Sequence, residues 1–139
     1  MSEKINPEKI ERALNKLAKD LARDFGIEPP KVTVADSVDR CKEKCLDVFA
    51  GCYVSKNKEI VVCLIDERID EYSVFLHELA HHIQYIFAEE DVYRAFPSQN
   101  EVHCERPHER DAKVFEKFFF PYAYKRWLKY VKGEKKDKS

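Results

Sequence analysis

The tightest constraint on this chain is one run near its middle, Asp70 to Glu89. Leu76, Leu79, Ala80, Ile83, Ile86 and Phe87 recur there at helical spacing, while His77, Glu78 and His81 fall on the arc roughly opposite. At about 100° per residue the two sets cannot share a side. Such a helix has to bury its apolar side and offer its polar side to a cleft, so the rest of the chain must supply a packing layer beneath it and a rim beside it. The central five residues, HELAH, add chemistry. Imidazoles at positions i and i+4 stand one above the other and can grip one metal ion. The glutamate beside the first is displaced by one step, where it reaches a water at that ion without being a ligand. His82, about 100° from His81, points along the flank and is expected to pack or to support the site.

The flanking segments read as an α+β domain. In NPEKIERALNKLAKDLARDFG, Asn6 is placed as an N-cap, Pro7 at the first helical position and Gly26 as the C-terminal cap. Ile10, Ala13, Leu14, Leu17, Leu21 and Phe25 form a single stripe. After Pro29 and Pro30, KVTVAD alternates as a strand, whereas SVDRCKEKC has no clear period. LDVFAGCYV and EIVVCLID flank the polar turn SKNK and predict an antiparallel hairpin, giving a small sheet of three to four strands. DVYRAFPSQNEVHCER reads as a surface loop or rim. A second helical region starts near Pro107, is expected to break at Pro121, and resumes as a C-terminal helix ending near Lys132. One domain over 1–132, with a charged tail at 133–139, accounts for a chain of 139 residues.

A net charge of -1 gives no general pull toward nucleic acid or membrane, and the basic concentration at the C-terminus reads as solvated. No stretch approaches the roughly 18 consecutive apolar residues of a membrane span, and the charged start does not resemble a signal peptide. A cytoplasmic protein is expected. Abundant Lys and Glu beside scarce Gln, Asn and Met lean toward a thermophilic source. Five cysteines cannot all pair within one chain. Cys52 and Cys63 flank the hairpin turn and are the expected disulfide, while Cys41 and Cys45 could join them as a four-thiolate zinc site.

A catalytic zinc needs a third protein ligand. The metzincin pattern is excluded, because Gln84 and Phe87 stand where it requires Gly and His. The downstream donors are His103, Glu105, His108, Glu109 and Asp111. Pro107 at a helix start puts Glu109 in the first turn, and Glu109 and Asp111 lie about 200° apart, so one of the two can face the metal.

HELAH followed by ERDAKVFEKFFFP resembles the ImmA/IrrE-type zinc metallopeptidases, minimal gluzincins with H-E-x-x-H and a later E-x-E-A-x-x-F-A running into an apolar stretch and Pro. The likeness extends over about residues 5 to 121, through the order of helix, small sheet, motif helix and glutamate helix. It implies a zincin-like fold, Zn²⁺ held by His77, His81 and Glu109, Glu78 as the catalytic base, and a helix-turn-helix repressor as a possible substrate. Three departures stand out: Asp111 replaces the second Glu, Glu116 replaces a small residue, and the run to Pro121 is one residue short. A SprT-like zincin with His103 or His108 as third ligand is the alternative within the same chemistry.

The expected reaction is peptide hydrolysis, with substrate added as a strand at an exposed sheet edge, for which Gly51 to Val54 is the candidate. Tyr85, Tyr93, His103, Tyr122 and Tyr124 are available to bind an oxyanion, and His108 or Asp111 to support the ligands. The last helix is a candidate latency element. A different class of function remains open: an interaction module whose zinc closes its fourth position with Cys104 or His103 and catalyses nothing.

Overall fold

The computed structural model describes residues 6–46, 50–87 and 107–136, the final helix with its side chains over 113–134. Tyr93, His103, Cys104 and Glu105, and the side chains of His108, Glu109 and Asp111, lie outside the described residues. The order is α1 (Pro7–Phe25), β1 (Lys31–Ala35), α2 (Val38–Cys45), β2 (Gly51–Val54), β3 (Glu59–Cys63), α3 (Glu71–Phe87) and α4 (Pro107–Lys136).

Helix α1 begins and ends as its sequence dictates. The Glu8 N–H donates to Asn6 Oδ1 at 2.8 Å, and Gly26 closes the helix at φ 66°, where a side chain would be strained. Its stripe is buried from Ile10 to Ala22. The sheet order is β1-β3-β2, with β1 parallel to β3 and β2 antiparallel to it. All five residues of β3 are buried, because both faces of this central strand are covered. Ile60 and Val62, with Val32 and Val34, face the core shared with α1, α3 and α4. Val61 and Cys63, with Ala35, face a smaller second core shared with α2. The outer edge of β1 is closed by α1: the Val32 N–H donates to Asn15 Oδ1 at 2.9 Å, Asn15 Nδ2 donates to the Val32 carbonyl at 2.8 Å, and the Val34 N–H donates to Glu11 Oε1 at 2.8 Å. β2 forms the opposite border.

Helix α2 occupies SVDRCKEKC, where no period was expected. Ser37 caps it, and its two inward positions are Cys41 and Cys45, one turn apart. The expected Cys52–Cys63 disulfide does not form. Cys52 sits opposite Val61, so Cys63 is its diagonal neighbour on the same face, and Cα atoms about 7–8 Å apart are too far for a bridge. The bonded pairs are Cys41–Cys63 and Cys45–Cys52, each joining α2 to one strand of the hairpin.

Helix α4 does not break at Pro121. Pro121 and Lys117 are both exposed, so the lost hydrogen bond and the displaced i−4 carbonyl face water. On the inner side Tyr72 Oη donates to the Phe120 carbonyl at 2.5 Å and lies 3.4 Å from that of Phe119. Burial, with Asp70 and Tyr124 nearby, pushes the Tyr72 phenol far above its usual range, which keeps this donor protonated. Trp127 stacks on Tyr72 with ring centroids 5.9 Å apart, and Ala123 is fully buried. The expected boundary at residue 132 falls short. The helix continues to Lys136, and Glu134, 4% exposed, meets Arg12 and Lys16 of α1 at 3.0 Å each. The second half of α4 is therefore part of the core. Among the described residues no helix is long and apolar enough to cross a membrane.

Candidate metal and catalytic site

Asp70 starts α3, accepting from the Tyr72 N–H at 3.2 Å and the Ser73 hydroxyl at 2.9 Å. Phe75, Leu76 and Leu79 then seat the helix on the large core. The apolar arc read from the sequence is only partly the buried one: Phe87 is 69% exposed, while Tyr72 and His82 are buried instead. Two of the three polar-arc residues are covered as well, His77 remaining partly exposed. Glu78 is 8% exposed and His81 4%.

His77 and His81 meet edge to face with centroids 5.1 Å apart. Both rings have a side-chain oxygen near Nδ1. The Glu116 carboxylate of α4 stands 3.4 Å from His77 Nδ1, and His81 Nδ1 lies 2.8 Å from Gln84 Oε1. Carboxylate and amide oxygens only accept, so each favours the tautomer with its proton on Nδ1 and its lone pair on Nε2, the form in which imidazole binds a metal. Glu116 enters the sequence reading only as a departure from a family pattern. It stands seven residues after Glu109, two helical turns on, and that spacing was the available signal.

The helix crossing also gives the direction of α4 across α3. Tyr72 meets α4 at Phe120, and His77 meets it at Glu116, so the two helices run antiparallel.

Beneath Glu78 runs β2. A Cβ built on Gly51 would stand 2.4 Å from Val74 Cγ1, 2.6 Å from the Val61 carbonyl oxygen and 3.7 Å from Glu78 Cγ. Glycine is thus required by the close approach of strand to helix, which lays the edge strand directly under the turn that carries Glu78. Tyr53, two residues on, shares a 2.7 Å hydrogen bond with His82 Nδ1, and His82 Nε2 lies 2.8 Å from the Glu28 carbonyl. That carbonyl only accepts, so His82 is the Nε2–H tautomer, and its Nδ1 accepts the hydrogen bond donated by the Tyr53 hydroxyl. Its burial holds the imidazole below the usual histidine range. His82 is a fully satisfied structural residue, as its place on the flank suggested.

Of the expected oxyanion donors, Tyr122 donates to Asp24 at 3.0 Å and Tyr124 packs against Tyr72 and Phe120. Both are engaged away from the motif. Tyr85, one turn past His81, has its ring 6.2 Å from that of Tyr53. A concavity of about 520 Å³ along Lys125, Leu128, Lys129 and Lys132 touches none of the motif residues.

A second donor group lies behind the sheet. Among the described residues, Cys41, Cys45 and Cys63 are buried with their sulfurs within 4.8 Å of one another, a group that could hold a metal, although the sulfurs are paired as disulfides. Comparison of the chain with protein-family models, with curated proteins and with solved structures found no match.

Proposed function

We propose that this chain is a zinc-dependent metallopeptidase of zincin type, acting in the cytoplasm on a peptide or protein substrate. The observation that carries the reading is an oxygen beside Nδ1 of both His77 and His81, from Glu116 at 3.4 Å and Gln84 at 2.8 Å, with Glu78 between them on the same helix. Two neutral imidazoles and a carboxylate suit zinc, and Glu109 is the third donor this reading assigns. A bound zinc ion supplies Lewis acidity, polarising the scissile carbonyl and lowering the pKa of water toward about 7.

The chain's own residues do the rest. Glu78 accepts the proton of the attacking water and returns it to the leaving amide nitrogen. Glu116 and Gln84 hold the imidazoles in the binding tautomer. β2 offers its border to an extended substrate, since the border at β1 is filled by Asn15 and Glu11. The resemblance to ImmA/IrrE-type enzymes supports a transcriptional repressor as the substrate class, and the chain's balanced charge supports no direct contact with nucleic acid.

Metal analysis of the purified protein and of three variants tests this. Glu78→Gln should keep zinc and the fold while turnover falls by about 10²–10⁴-fold. His77→Ala and His81→Ala should lose the metal itself. Unchanged turnover in Glu78→Gln refutes the assigned role. A second reading, a zinc-stabilised interaction module, draws on the low exposure of Glu78 and His81. A protein ligand at the fourth position, in place of water, would favour it.

A further inference from the structure

We propose that Cys41, Cys45, Cys52 and Cys63 form a second metal site, a tetrahedral four-thiolate centre that takes one Zn²⁺ when reduced, the two disulfides being its oxidised, metal-free state. The inference does not depend on the peptidase reading.

A disulfide needs only its own two sulfurs close together. Here sulfurs of different bridges also converge: Cys41, Cys45 and Cys63 lie within 4.8 Å of one another, and Cys52 is bonded to Cys45. Zn–S bonds of about 2.3 Å set a tetrahedron with sulfur–sulfur edges of about 3.8 Å. Each bonded pair would open from a covalent separation of about 2 Å, and the gaps from Cys45 to Cys41 and Cys63 would close by at most about 1 Å; Cys52, bonded to Cys45, has the longer way to swing to complete the set, a movement made by rotation about its side-chain bonds.

The scaffold has the matching form. Cys41 and Cys45 are one turn apart on α2, and Cys52 and Cys63 are diagonal neighbours on the face of the β2–β3 hairpin beneath it. Two vertices come from a helix and two from a sheet. The layer also needs a fastening. An eight-residue helix does not stand alone, and the core under it is small, with Ala35 and Val61 as its buried residues besides the cysteines. In a reduced protein, zinc would replace the lost bridges.

The exchange balances with a dithiol as reductant. Two dithiols deliver four electrons and four protons to the two S–S bonds and become two cyclic disulfides. Binding of Zn²⁺ to the four thiols then releases their four protons. Exchange with two small-molecule disulfides, each taking up two electrons and two protons to become a dithiol, re-forms the two protein disulfides and ejects the ion.

The test is cobalt titration of the reduced full chain under anaerobic conditions. The expected result is strong thiolate-to-cobalt charge-transfer absorption with intense tetrahedral visible bands. These should saturate at one equivalent, persist in His77→Ala/His81→Ala, be lost in Cys41→Ser/Cys63→Ser, and be displaced by zinc. No thiolate band in the reduced protein, or a band that survives the serine pair, overturns the proposal. Should the serine variant fail to fold, alkylation of the reduced wild type decides: the four cysteines should be protected at least tenfold by added zinc, and equal rates with and without zinc overturn the proposal.

Discussion

Gly51→Ala is the most exacting test of how β2 and α3 fit together. The new methyl would lie 2.4 Å from Val74 Cγ1 and 2.6 Å from the Val61 carbonyl oxygen, against a normal separation of about 3.5 Å. Val74 can relieve its share by rotating. The Val61 carbonyl cannot, because it belongs to the central strand, so β2 has to move outward by close to 1 Å or α3 has to lift. Overpacking of this kind costs about 1–3 kcal/mol. With an unfolding entropy of about 0.3 kcal/mol/K for a chain of this length, a loss of about 2 kcal/mol lowers Tm by about 7 °C. Turnover should fall further than stability, since the displaced strand is the one under Glu78. Calorimetric melting checks the first effect, and activity per bound zinc the second. Gly133→Ala is the control: nothing lies within 4 Å of its Cβ, and within a helix the change should stabilise by about 0.5–1 kcal/mol. A Gly51→Ala protein that melts with the parent would refute the close approach and the placement of the substrate edge built on it.

Three further expectations follow from named contacts. Glu116→Ala should weaken zinc binding by about 10–100-fold while leaving the fold intact, as read by competition with a chelator; unchanged affinity would remove Glu116 from the site. Burial raises the Glu134 pKa, but the ion pairs with Lys16 and Arg12 outweigh it and hold the carboxyl below its usual range. Its contribution to stability is therefore complete above the unfolded value of about 4.5 and lost as pH falls through the lower folded value. Denaturant midpoints of Glu134→Gln should show a shallower acid limb than the parent. Truncation near Tyr122 removes Ala123, Trp127 and Glu134 from the interior, so loss of cooperative melting is expected, and a folded, more active fragment would show that the last helix is a latency element after all.

The parts of this fold legible in the sequence are those whose signal is local. α1 carries its caps and its stripe in consecutive residues, the hairpin is marked by SKNK between β-branched runs, and HELAH has a spacing that only a helix makes meaningful. α2 is not legible because eight residues hold barely two turns, and its inward positions are cysteines, whose chemistry masks their part in a buried face. The unbroken course of α4 depends on Tyr72, 49 residues before Pro121, and on the exposure of the proline side, neither of which a propensity argument contains. The disulfide partners depend on the position of α2 over the hairpin, so the turn between Cys52 and Cys63 pointed to the wrong pair. Glu116 and Gly51 were visible as residues, but their roles arise where α4 and β2 cross α3, and the segment from 88 to 106 carries several of the remaining site candidates.

Successive residues of a strand point to opposite sides, and β2 is only four residues long. Few ladder bonds oppose its sliding along β3, and a slip of one position would put Cys52 or Ala50 where Gly51 must be. The sulfur link behind the sheet acts as an index pin against that slip. Insertions or deletions between Leu46 and Gly51 are therefore tolerable only when they leave Cys52 in place, and a chain that lost the pin would have to lengthen this strand to keep its alignment.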